Sequence, residues 1–158
     1  TLAKVLSKHY NIPVLHMDSI HFLNNWKERS NEEFNSIVKE FIDKNESWII
    51  DGNYKNIIPE RHEMSDLLIF LDYNRFFCYR SAKKRYKMYK GQTREDMASG
   101  CDEKFDKEFK MWLLFKGRTK TRRQRLLQLA QNHHNSLIFK NRKQLFKYYK
   151  ENGITYDK

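Results

Sequence analysis

Four short apolar runs, PVLHM (13–17), SWIIDG (47–52), DLLIFLD (66–72) and NSLIFK (135–140), punctuate this chain, and the segments between them carry apolar residues at helical spacing. Strands that alternate with helices are joined by crossovers rather than hairpins, so they line up parallel. The pattern predicts an α/β fold: a parallel sheet covered by helices on both faces. The run LLIFL has no polar alternation, which predicts a strand buried on both sides.

The helices can be placed by the same reasoning. Leu2, Val5, Leu6 and Tyr10 form one apolar stripe, and Pro13 ends it by disfavouring helix at Ile12. Ser30 and Glu33 have the spacing of a capping box, each serving a backbone N–H of the other. Phe34, Ile37, Val38, Phe41 and Ile42 then mark an amphipathic helix. Residues 75–133 read as several helices, with Phe105, Phe109, Trp112 and Leu113 as a core stripe. Asn141 begins a final helix that turns Leu145, Phe146 and Tyr149 inward, and the tail NGITYDK is expected to fray. At 158 residues the whole reads as one domain with a proper core, without internal repeat or low-complexity segment.

Charge narrows the partners. Lys and Arg number 31 against 20 Asp and Glu, a formal +11. Such a surplus favours phosphate-rich ligands and says nothing about fold. Two stretches are cationic without a single acid: Arg75–Lys90 holds seven cations and Lys116–Arg125 holds six. Solvated helices normally mix signs, so these runs read as a helical lid over residues 75–125 that closes on polyphosphate. Two cysteines are too few for a disulfide framework or a four-cysteine zinc site, which predicts a reducing, cytoplasmic setting. No run approaches membrane-spanning length and no signal peptide is evident, so no membrane partner is expected. His16, Asp18 and His21 in HMDSIH match no strong metal pattern.

Several stretches are more distinctive: the opening helix TLAKVLSKHY, HMDSIHF with Asn25-Trp26, DGNY at 51–54, and GQTREDMASGCDEKFDKEF at 91–109. With the strand order they occupy, they resemble small P-loop kinases of the adenylate-kinase type, and more narrowly the family called DNA topology modulation proteins. The resemblance covers nearly the whole chain. It implies a three-layer P-loop NTPase-like sheet of strand order 2-3-1-4-5. In such proteins a strand and a loop G-x-x-x-x-G-K-[ST] precede the helix matching TLAKVL, and neither occurs in this sequence. The expectation is therefore that strand 1 and its loop, roughly 14 residues, lie upstream of Thr1. The remaining strands should fall into two pairs on either side of its slot.

The resemblance also implies an ATP-dependent phosphotransferase acting with Mg2+ on a nucleotide, nucleoside or other small acceptor. Asp18 resembles the acid that orients the acceptor or supports magnesium, and Arg85 and Arg122 would act on developing charge. Thr1, Arg80 and Arg118 would hold the nucleotide, with Thr1 also on the metal. Asp51, Gly52, Asn53, Tyr54 and Arg94 resemble the acceptor side, and Trp26, in a loop, suits a planar substrate. Asp18, Asp51 and Asp72 fall where strands end, the edge at which open α/β sheets gather ligands; Asp72 reads as a terminator that caps the next helix. Two other functions compete: a nucleic-acid-binding protein whose cations follow the phosphate backbone, and a nucleotide-binding regulator without turnover. No helix-turn-helix or finger supports the former.

Overall fold

The structure, a computed structural model, describes residues 1–156. It is a mixed α/β fold with small parallel sheets, organised as two compact units. The first comprises residues 1–59, 91–102 and 149 onward, and the second residues 60–90 and 103–148.

In the first unit, α1 (Leu2–Tyr10) leads through Asn11, whose left-handed φ of 54° stops the helix, into β1 (Val14–His16). Next come a single-turn α2 (Met17–His21) and the hairpin strands β2 (Phe22–Leu23) and β3 (Lys27–Glu28). α3 (Asn31–Lys44) and β4 (Ile49–Asp51) follow. The capping position is as the sequence predicts: the Ser30 hydroxyl accepts from the Glu33 amide at 3.2 Å. Phe34, Val38 and Ile42 of α3 are buried with Met17 and Ile57, and Leu15, Trp48 and Ile50 pack against them. β1 and β4 run parallel in the register Val14↔Ile49, Leu15↔Ile50, His16↔Asp51.

The second unit contains α4 (Arg61–Met64), β5 (Leu68–Leu71), α5 (Arg75–Tyr89), α6 (Lys107–Leu114), α7 (Lys120–Asn132) and β6 (Ser136–Phe139). The final helix α8 (Arg142–Glu151) begins here, with the Asn141 carboxamide accepting from the Gln144 amide at 3.0 Å. β5 and β6 are parallel, Leu68↔Ser136 to Leu71↔Phe139. Side chains start its helices locally: Asn74 caps α5, Asp106 caps α6 and Thr119 caps α7. Lys90 and Glu103 form a backbone bridge where the chain leaves and re-enters the unit.

Several expectations are corrected. Every residue of β5 is half-buried, because a two-stranded ladder leaves one edge without a neighbour. Tyr10, Trp112 and Phe146 are exposed rather than inward, at 49%, 44% and 39%. A helical stripe identifies residues that share a face but not what lies opposite. The cap of α5 is Asn74, while the Asp72 carboxylate receives a two-pronged bond from Arg123 at 2.8 and 2.5 Å. The tail is anchored at Ile154, which is buried and whose amide bonds the Tyr149 carbonyl at 2.8 Å. Asp157 and Lys158, the rest of the segment expected to fray, lie outside the described residues. No helix among the described residues is long and apolar enough to cross a membrane.

Candidate functional site: the carboxyl ends of β1 and β4

Parallel strands direct their carboxyl ends to one edge, and in the first unit that edge gathers polar side chains. β1 ends at His16 and β4 at Asp51, and register makes them neighbours. His16 Nδ1 lies 3.1 Å from Asp51 Oδ2. The chain turns into α2 immediately after His16, so Asp18 lies in a helical first turn and not on the strand with His16. From that turn Asp18 Oδ1 accepts from the Tyr54 hydroxyl at 2.6 Å. Burial first, and then the charges of Asp18 and Glu28, push the Tyr54 phenol well above its usual range. Tyr54 therefore stays protonated and remains a donor to Asp18 throughout the physiological range.

Packing fixes this arrangement. A Cβ on Gly52 would stand 2.6 Å from the Cβ of buried Met17, so only glycine lets the turn after β4 approach α2. His21 stacks among Phe22, Phe34 and Tyr54 at centroid separations of 4.6, 5.1 and 4.7 Å. Its Nε2 lies 3.8 Å from Glu28. His16 Nε2 and His21 Nδ1 are buried without a hydrogen-bond partner among the described residues.

Three sequence-predicted residues come together here: Asp18, Asp51 and Tyr54, with Gly52 as the hinge. Asn53 is exposed in the same turn. Trp26 packs against Met97, Ala98 and Cys101 and meets Phe22 at 5.2 Å, so most of its ring is committed to a small core. Its φ of 64°, next to Asn25 at 60°, is a rare conformation for a bulky residue. Arg94 is engaged with Asp96 at 2.7 Å, both side chains nearly buried. Thr1 precedes α1 with its side chain making no capping bond.

The remaining predicted arginines belong to the second unit. Arg85 Nε pairs with Glu103 Oε1 at 2.6 Å, and the Glu103 side chain is 3% exposed. Arg118 donates to the Tyr73 carbonyl at 2.6 Å and to Cys78 Sγ at 2.9 Å. Arg80 and Arg122 are exposed. Arg80 lines a cleft of about 420 Å³ with Lys84, Arg85 and Arg142, above Phe77 and Met88.

The His16–Asp51 pair, and the acids that hold Arg85 and Arg94, Glu103 and Asp96, were not singled out from sequence. The signal for the former was present: each residue closes its strand, and parallel register sets strand ends side by side. No group of three His, Cys, Asp or Glu among the described residues could hold a metal ion. Magnesium commonly takes one or two protein oxygens, completing its shell with phosphates and water. Asp18, one oxygen of which accepts from Tyr54, has one further oxygen of that kind. No protein-family profile, curated protein or solved structure matches this chain.

Proposed function

We propose that this chain is a phosphotransferase of the P-loop kinase type, with Asp18 orienting the acceptor. The observation that carries the reading is the meeting of Asp18, Tyr54, Asp51 and His16 at the carboxyl ends of two parallel strands. Ligands of open α/β sheets bind at that edge.

The pairing of strands supports the three-layer order 2-3-1-4-5. β1–β4 and β5–β6 are the two parallel pairs that order leaves when strand 1 is set aside. Ladder alternation supports it further. Ile49 donates to Pro13 O and Leu68 donates to Asn135 O, so the backbone groups of Ile50 and Ile69 face the other edge of their strands. Each pair thus keeps one edge of backbone groups turned away from its own partner strand.

Phosphoryl transfer passes through a loose transition state, so the protein contributes positioning and charge more than covalent chemistry. Tyr54 holds one oxygen of Asp18, which fixes the carboxylate and leaves its second oxygen to accept from an acceptor hydroxyl. His16 holds Asp51 in the same manner. ATP would be the donor, and magnesium held by Asp18 and Thr1 would offset charge on the transferred group. Arg80 and Arg122, exposed and cationic, suit the phosphate side. Arg85 and Arg118 are tied to protein partners, so their first contribution is to hold the second unit together.

The test is transfer of label from γ-labelled Mg·ATP to a mixture of hydroxyl compounds, read by mass spectrometry. A phosphorylated product is the expected result; nucleotide binding without any product would favour the regulatory reading instead. One observation favours nucleic acid as a second reading: Met111, Trp112 and Phe115 are exposed between the cationic helices α5 and α7. Aromatic faces among cations suit single strands. Under that reading Trp112→Ala weakens oligonucleotide binding severalfold at physiological salt; a complex that disappears by that salt reflects general attraction only.

A further inference from the structure

We propose that the cleft between α5 and the start of α8 binds single-stranded nucleic acid, its phosphates along α5 and a base on the Arg142 guanidinium. This rests on the nucleic-acid reading, the second above, and gives that reading a site which Trp112 does not line. The cleft, about 420 Å³, lies wholly within the second unit. Phe77, Arg80, Lys84 and Met88 line it at helical spacing on one face of α5, a helix without a single acid. Arg142, the first residue of α8, sets its guanidinium over the Phe77 ring, 5.3 Å from the centroid. No carboxylate lines the cleft among the described residues. Arg85 is the one lining cation drawn to an acid among them, through its 2.6 Å bond to Glu103, and Arg80, Lys84 and Arg142 are exposed.

Length and chemistry together select a strand. From Phe77 to Met88 the helix rises about 16 Å, which matches roughly four or five nucleotides at about 3.4 Å each and exceeds what one nucleotide needs. Cations one or two turns apart on a helix face meet successive phosphates. The floor supplies what a bare polyanion would not use. Met88 is 62% exposed, and the Arg142 guanidinium, already stacked on Phe77, presents a plane of the kind on which bases stack. A cationic track beside stacking groups is the arrangement that holds single strands without reading their sequence.

Fluorescence anisotropy of a labelled oligothymidine, about a dozen nucleotides long, follows binding to the full chain between about 50 and 200 mM salt. Lys84→Gln and Arg142→Gln are each expected to weaken binding about fourfold at physiological salt and to flatten the salt slope by about 0.7, the share of one neutralised phosphate. Lys39→Gln, an exposed position on α3 in the first unit, removes the same charge and should change neither. A strand of equal length without bases should bind about tenfold more weakly. The proposal is overturned if either cleft variant weakens binding no more than Lys39→Gln does, if the baseless strand binds as well, or if equimolar Mg·ATP displaces the strand and so makes the cleft a mononucleotide site. Failure to bind at physiological salt overturns the nucleic-acid reading with it. Binding that only Trp112→Ala weakens keeps that reading and removes the cleft from it.

Discussion

Gly91 and Gly100 share a φ of +72° but not the same surroundings. A Cβ at Gly91 would meet nothing within 4 Å, whereas one at Gly100 would fall 1.9 Å from Asn24 Oδ1. Gly91→Ala should therefore cost only the left-handed backbone penalty, about 1 kcal/mol. Gly100→Ala should cost that and a further 1–3 kcal/mol, roughly, for displacing Asn24. Urea unfolding of both variants separates conformational strain from steric exclusion; equal midpoints would show that Asn24 yields without cost. His62 provides a second test at this scale. Burial first, and then Arg61, Arg125 and His133, lower its pKa from 6.5 to about 4. The unfolded chain thus binds the proton more readily than the folded one. The contribution of neutral His62 is complete above pH 6.5 and is lost as pH falls toward 4. His62→Gln should flatten the fall in urea midpoint between those values relative to the parent; parallel curves would contradict it. These residue-level features were hardly legible in the sequence. Nothing in GQTREDMASG distinguishes the glycine against Asn24 from the glycine in open space, since Asn24 lies 76 positions away.

Among the elements, legibility followed the range of the interactions that make them. The start of α3 could be read because Ser30 and Glu33 are three residues apart, and β1 and β4 because their apolar runs are short and bounded. α2 escaped notice: HMDSIH reads as the end of a strand, yet the helical turn begins at Met17 and sends Asp18 toward Tyr54, 36 residues away. The Arg85–Glu103 pair shows the same limit. The cationic run containing Arg85 reads as a phosphate-facing lid, but its guanidinium covers a carboxylate that is 3% exposed. Arg85→Ala removes a charge-assisted hydrogen bond to a carboxylate that is nearly buried, so it should lower stability by roughly 1.5–3 kcal/mol. A double variant, Arg85→Ala with Glu103→Ala, should recover part of that loss. If Arg85→Ala leaves the denaturation midpoint unchanged and only turnover falls, the side chain serves phosphate and not structure.

For the molecule as a whole, the alternation of strands and helices specified the α/β class with parallel strands, because it admits few topologies, whereas which strands pair was expected only from the family resemblance. It did not specify which polar residues meet at the strand ends. That depends on register and on the single turn of α2. The two aspartates that face different fates make the point: Asp18 is exposed and bonded only through one oxygen to Tyr54, whereas the Asp72 side chain, 7% exposed, is held by Arg123. A kinase-type site at the carboxyl ends of β1 and β4 predicts that these two carboxylates differ in kind. The direct measurement is Mg·ATP-dependent phosphoryl transfer by Asp18→Asn and Asp72→Asn beside the parent protein, with ATP affinity and thermal midpoint recorded for each. Asp18→Asn should lose about 100-fold or more in turnover with its ATP affinity and midpoint nearly unchanged, while Asp72→Asn should lower the midpoint and largely spare turnover in the folded fraction. Turnover by Asp18→Asn within threefold of the parent would contradict the account.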